Sequence, residues 1–187
     1  MALSRPKSKR VLVSSTLHRG HACIVLDACC IINLFESGYC EPILEATGPC
    51  VAVVSVVLEQ ELGTRDLQPL IARGVLRIVD PESEAEFISF VNFAVQLDDG
   101  EALTGAVARH RHWAIATDER KARNVFSREI RDVLLVSTPE LLKHWVETSS
   151  PSAGSIRDAL TNIRTRARYE PGRDHALYVW WHSYFKM

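Results

Sequence analysis

No apolar run in this chain of 187 residues reaches the roughly 18–20 residues that a membrane-spanning helix needs. The start, Met1 to Arg10, is basic and polar and lacks the apolar stretch of a secretory signal. No two cysteines stand in a CxxC spacing. Cys23, Cys29, Cys30, Cys40 and Cys50 are odd in number, two are adjacent, and four lie in or beside apolar stretches. No second Cys/His cluster at ligand spacing accompanies them, which speaks against a zinc site. They read as reduced, small core residues, and the expected compartment is the cytoplasm. Internal repeats and low-complexity segments are also absent.

What is present is the composition of an ordinary globular domain, with 47% apolar and 24% charged residues. A chain of this length buries a core without disulfide or metal staples. The net charge is −1, but it is unevenly spread. Residues 1–21 hold five Arg/Lys and no acid, and residues 151–187 hold six Arg/Lys against three acids, so the stretch between them carries −9. An acidic centre between basic ends suits a protein that grips a polyanion while its acids hold metal. Solvated basic tails would give the same charge pattern. The Arg/Ser-rich, acid-free start also resembles an organelle transit peptide, although nothing else in the chain supports that.

The expected organisation is a basic arm over 1–21, an α/β domain over 22–150 and a helical extension over 151–187. Short, continuous apolar runs at 22–26, 50–54, 75–79, 113–117 and 133–136 read as strands buried on both faces. Helical segments separate them, at about 29–36, 41–46, 82–96, 98–111 and 119–128, with another from 138 to about 147 and one after Ser55 that carries Glu59 and Glu61. The alternation predicts a doubly wound, five-stranded parallel sheet with helices on both faces. Beyond Ser149-Ser150-Pro151, the 4, 3, 4 spacing of Ile156, Leu160, Ile163 and Ala167 marks an amphipathic helix. The aromatic segment from Leu177 to Phe185 then reads as a terminal helix that packs or forms a subunit contact. Gripping RNA through Arg164, Arg166, Arg168, Trp180 and Trp181 is the weaker alternative.

Two of the strands end in aspartate, Asp27 and Asp118, at the edge where open parallel sheets bind ligands. Glu61 follows the second strand, with Glu59 as its rival, and Glu101 opens the helix leading to the fourth. Four carboxylates in one cleft raise each other's pKa, and a divalent cation relieves the repulsion. All-oxygen ligands favour Mg²⁺ or Mn²⁺, which suits phosphodiester hydrolysis. Each acid has a plainer explanation. Asp27 and Asp118 are placed to cap helices, Glu101 stands three after Asp98 as in a capping box, and Glu59 and Glu61 could be surface charges. The joint pattern, rather than any one acid, favours a metal site. Arg120 and Lys121, close behind Asp118, are placed to hold substrate phosphate.

Four segments in order are similar to those of the PIN-domain nucleases, many of whose bacterial members are toxins of toxin–antitoxin pairs. Residues 24–34 resemble that family's opening strand, aspartate and apolar helix. Residues 55–62 resemble its glutamate followed by leucine, which favours Glu61 over Glu59. Residues 97–102 resemble its Gly-Glu-Ala helix start, and 116–123 its Thr-Asp-Asp/Glu-Arg-Lys segment. Cys29 departs from the hydroxyl residue often found there. The resemblance covers about 22–147. It implies a ribonuclease needing Mg²⁺ or Mn²⁺, with Asp27, Glu61, Glu101 and Asp118 as catalytic metal ligands. The partners it implies are RNA and an antitoxin protein, while a second copy of the chain is expected from the aromatic C-terminal segment.

Other Asp-bearing α/β folds match less well. A haloacid-dehalogenase-type site wants a second aspartate where Cys29 stands. A receiver domain is poorly served by Asp80 followed at once by Pro81, and a nucleotide-binding fold wants a Gly-rich turn after the first strand. A PIN-like module that binds RNA or protein without cutting remains the non-enzymatic alternative.

Overall fold

A computed structural model describes residues 21–53 and 66–185. Glu59, Glu61 and the helix expected to carry them lie outside the described residues, as does the basic arm up to residue 20. Five strands form one all-parallel sheet: β1 (Ile24–Leu26), β2 (Cys50–Val53), β3 (Leu76–Val79), β4 (Ala114–Ala116) and β5 (Leu135–Val136). Their spatial order is β3-β2-β1-β4-β5. The chain therefore builds outward from β1 through β2 and β3, then returns to add β4 on β1's other side.

The apolar runs are continuous because the sheet is covered on both faces. Side chains alternate along each strand between two separate cores. Ile24 and Leu26 of β1, Cys50 and Ala52 of β2, and Ala114 and Ala116 of β4 point into one core. Val25, Val51, Val53 and Ile115 point into the other. The first core is covered by α1 (Ala28–Ser37), α2 (Cys40–Thr47), α3 (Gln68–Ala72) and α7 (Thr138–Ser149). The second is covered by α4 (Glu84–Ala94), α5 (Asp99–Arg111) and α6 (Arg120–Glu129).

Local chemistry sets the ends of these helices. Gly38 adopts φ 78°, the left-handed conformation that ends α1. The helix expected from Glu82 begins at Glu84 because Ser83 caps it, in a reciprocal pairing with Glu86. Gly105 of α5 lets the Phe126 ring of α6 lie against the helix backbone, where a β-carbon would overlap the ring.

The C-terminal extension consists of α8 (Ala153–Asn162), a π-helical turn (Ile163–Ala167) and α9 (Tyr178–Ser183). Ile156, Ala159, Leu160, Ile163 and Trp181 are buried in the same core as β1 and α1. Asn162 also donates to the Ser37 carbonyl at 3.1 Å. The extension is thus continuous with the sheet domain's core, and Trp181 is inaccessible to a nucleobase. No helix among the described residues is long and apolar enough to cross a membrane.

One ion pair fastens the helix that begins at the sheet's ligand-binding edge. Glu86 on α4 is buried, and Arg111 at the end of α5 donates to it from Nε at 2.7 Å and from Nη2 at 3.3 Å. Burial works to raise the Glu86 pKa. Hydrogen bonds from Arg111 and from the backbone of Glu82 and Ser83 outweigh it and hold the carboxyl down at about 2. Removing the guanidinium would leave a buried carboxylate without its charge partner. Arg111→Ala is expected to lose about 3 kcal/mol of unfolding free energy. Urea denaturation followed by circular dichroism measures this, and a loss below about 1 kcal/mol would show that the pair contributes no more than a surface contact.

Candidate active site

The C-terminal ends of β1 and β4 lie side by side, where the winding direction of the sheet reverses. That is the crevice in which open α/β sheets bind ligands. Asp27 follows β1, and its backbone N–H donates to the Ala116 carbonyl of β4 at 2.9 Å. Its side chain caps α1, with Oδ1 accepting from the Ala28 N–H at 2.9 Å. Its Oδ2 accepts from the Thr117 hydroxyl at 2.8 Å and the Cys29 thiol at 3.3 Å. The capping role and a metal role are compatible, since a carboxylate offers about four lone-pair positions and three are used.

Glu101 sits in the first turn of α5, and the capping box expected from the sequence is present. Asp98 Oδ1 accepts from the Glu101 N–H at 2.9 Å, and Glu101 Oε2 accepts from the Asp98 N–H at 3.3 Å. Oε1 makes no hydrogen bond within the described residues. A cleft of about 450 Å³ opens here, lined by Asp27, Cys29, Asp98, Glu101, Glu119 and Lys121 among others. Asp27 is 5% exposed and Glu101 8%, while Asp98, Glu119 and Lys121 are exposed at the rim.

The electrostatics are those of an acid cluster short of positive charge. Burial, followed by the charges of Asp98 and Asp27 and more weakly Glu119, pushes Glu101 up to about 7. Asp27 is also raised, first by burial and then by the charge of Asp98, against the hydrogen bonds it accepts. Asp27 and Glu101 are buried, keep spare lone pairs and share the cleft with further acids, all of them oxygen donors of the kind Mg²⁺ or Mn²⁺ takes. Among the described residues no three of these carboxylates lie within 4.8 Å of one another, so a bound ion would have to draw them closer.

Asp118, expected as the fourth ligand, is not in this cleft. Its carboxylate turns toward α7 and the extension. Oδ1 accepts from the Thr138 N–H at 2.9 Å and the Tyr169 hydroxyl at 2.8 Å. Oδ2 accepts from Asn33 at 2.9 Å and from the Thr138 hydroxyl. With the Cys30 thiol at 3.6 Å from Oδ2, five donors surround the carboxylate, leaving no lone-pair position for a metal. The Tyr169 phenol pKa is raised by burial and by the Asp118 charge, so the hydroxyl stays a donor. The carboxylate that reaches the cleft from this segment is that of the next residue, Glu119, the N-cap of α6.

Of the four acids expected as ligands, the fold brings Asp27 and Glu101 together, diverts Asp118, and leaves Glu61 outside the described residues. Asp98, Glu119 and Thr117 were not expected at the site. Their only signal was nearness to expected acids, Asp98 as the capping partner of Glu101 and Thr117 and Glu119 beside Asp118, and the choice between Asp118 and Glu119 depends on which side chain finds donors behind the sheet. Lys121 lines the acid cleft and Arg120 a neighbouring one. Arg123 is committed to the carbonyls of Thr117 and Val136, at 2.9 and 3.1 Å, which ties the ends of β4 and β5 together.

Donor atoms of Cys29, Cys30 and Asp118 lie within 4.8 Å of one another. This trio is better described as a hydrogen-bond cluster than as a metal centre. Cys30 is fully buried, and burial, its neighbour Cys29 and the Asp118 charge push its thiol pKa well above the ordinary value. It donates to Asp118 at 3.6 Å, and Asp118 has no free lone pair.

Because Glu101 titrates near 7 when folded and near 4.5 when unfolded, the folded protein holds an extra proton between those values. Stability without divalent metal is therefore highest below about pH 4.5 with respect to this group and falls as pH rises to about 7. Melting temperatures in EDTA from pH 5 to 8 should decline, with a smaller decline in Glu101→Gln. Parallel profiles for the two proteins would mean that Glu101 feels no such repulsion.

Comparison with family models, curated proteins and solved structures finds no match to this chain.

Proposed function

We propose that this protein is a PIN-like, metal-dependent endoribonuclease that hydrolyses RNA phosphodiester bonds with Mg²⁺ or Mn²⁺ held among acids at the β1/β4 edge. The observation that carries the proposal is the cleft lined by Asp27, Asp98, Glu101 and Glu119 beside Lys121. The parallel five-stranded sheet is compatible with the fold that the sequence resemblance implied.

In this reading Asp27 and Glu101 are the principal ligands, since both are buried and keep free lone pairs. Asp98 and Glu119 sit at the rim, where they can hold metal-bound water, and Glu61 remains a further ligand carried by the sequence resemblance. A bound divalent ion would polarise a phosphoryl oxygen and lower the pKa of attacking water. Thr117 orients Asp27 through its hydroxyl, which donates to Oδ2 while accepting from the Glu119 N–H at 3.2 Å. Lys121 supplies positive charge for substrate phosphate at the acid cleft. Asp118 serves as the anchor that holds the β4 end against α1, α7 and the extension. The sequence resemblance alone supports a toxin paired with an antitoxin protein as the biological setting.

Cleavage of single-stranded RNA in Mg²⁺ or Mn²⁺ is the direct test. Asp27→Asn and Glu101→Gln should each lower the rate more than about a hundredfold, beyond what loss of a supporting contact gives. They should also abolish the metal-induced rise in melting temperature. Asp118→Asn should instead lower the melting temperature while that rise persists, because the amide cannot accept from four donors. RNA cleavage unchanged in Asp27→Asn would remove the site from consideration. Metal and RNA binding without any cutting would favour the non-catalytic module.

A further inference from the structure

A second cleft, of about 520 Å³, lies on the other side of the first turn of α6. Residues 119 and 121 line the acid cleft, while 118, 120, 123 and 124 line this one. Its far wall is the loop of the extension from Tyr169 to Ala176. The loop is pinned in place at two points. Tyr169 donates to Asp118, and His175 Nε2 lies 3.0 Å from the Ser137 hydroxyl. His175 Nδ1 accepts from the Leu177 N–H at 3.0 Å, so in the neutral ring Nε2 carries the proton and donates to Ser137, which donates to Glu140 at 2.7 Å.

Most polar groups of the cleft are thereby committed to the protein. Asp118, Ser137, Glu140, Tyr169 and His175 bond one another or the backbone, Arg123 holds two carbonyls, and Glu170 faces Arg164 at 3.7 Å. Three exposed side chains are left with no hydrogen bond or ion pair within the described residues and are open to a ligand: Arg120, Asn124 and Asp174. The Asp174 carboxylate lies over Gly172, where a β-carbon would stand 2.7 Å from Oδ1, so the bare backbone there makes its room. α6 itself begins without a side-chain cap and with no acid in its first turn. Arg120, in the first turn of α6 next to its N-cap Glu119, is the cleft's cation left without a partner within the described residues.

A cation, an amide and a carboxylate around a cavity of this size are complementary to one nucleotide. With a nucleotide in the cleft, Arg120 would face the phosphate, and Asn124 and Asp174 the base edge. A carboxylate accepts two parallel N–H bonds, and guanine is the RNA base whose Watson–Crick edge offers two adjacent donors, the ring N–H and the exocyclic amine. We propose that this cleft is a guanine-selecting subsite for the nucleotide next to the scissile phosphate, built by the C-terminal extension onto the acid site. This rests on the nuclease reading for the word scissile only, since binding of the nucleotide requires neither metal nor cleavage.

Fluorescence anisotropy with the full chain in EDTA separates the two claims. The probes are fluorescein-labelled uridine hexamers carrying one central guanine, inosine, adenine or cytosine. The guanine hexamer should bind about tenfold more tightly than the adenine or cytosine hexamers, with inosine between, because it keeps one of the two donors. Asp174→Asn should bring the affinities for all four hexamers within about twofold of one another, and circular dichroism checks its fold. Equal affinity for all four hexamers in the parent protein overturns the subsite, as does no binding to any of them. A guanine preference that survives in a protein unable to cleave RNA in Mg²⁺ upholds the subsite and removes the nuclease reading. Cleavage with no preference for a flanking guanine does the reverse.

Discussion

The placement of β4 beside β1, on the side away from β2, is the constraint from which the site follows. It reverses the winding of the sheet, so the helices after β1 and β4 leave toward opposite faces and their first turns part. The gap so created is lined by whatever residues end those two strands. Here they are Asp27 and the Thr117-Asp118-Glu119 segment. Because the strands are parallel and both faces are covered, these residues have nowhere to turn except into the crevice or back against the neighbouring helices.

The segment after β4 does both. Asp118 turns back and is held by Asn33 of α1, Thr138 of α7 and Tyr169 of the extension, which joins the sheet edge to three separate parts of the chain. Glu119 turns forward into the cleft with Asp27 and Glu101. Consecutive acids thus acquire opposite characters. One has its charge fully met by donors, and the other stands among like charges. The same division separates the Cys29–Cys30 pair, with Cys29 reaching Asp27 at the cleft and Cys30 buried against Asp118.

The extension contributes in two ways. Its apolar face completes the core over β1 and α1, with Trp181 wholly buried. Its loop stands beside the acid cleft and presents Asp174 to a second cavity. Packing therefore places a recognition element beside the proposed chemistry, and the loop is held there by two hydrogen-bonded side chains, Tyr169 and His175, rather than by a strand or a helix.

The order of strands and helices was legible in the sequence, because strands buried on both faces must be short and continuously apolar while the helices between them show one apolar stripe. So were the capping roles of Asp27 and Glu101, since a carboxylate at a strand end or in a capping box is fixed by local geometry. The starts expected for β1, β3, β4 and β5 ran one or two residues early, as apolar side chains such as Trp113 and Val133 pack ahead of the first ladder bonds. What tertiary structure alone decided was the choice between Asp118 and Glu119, the burial of the aromatic extension, and the second cleft. Each depends on side chains distant in sequence, Asn33, Thr138 and Tyr169 above all, and a hydrogen bond across such separations leaves no periodicity for the chain to display.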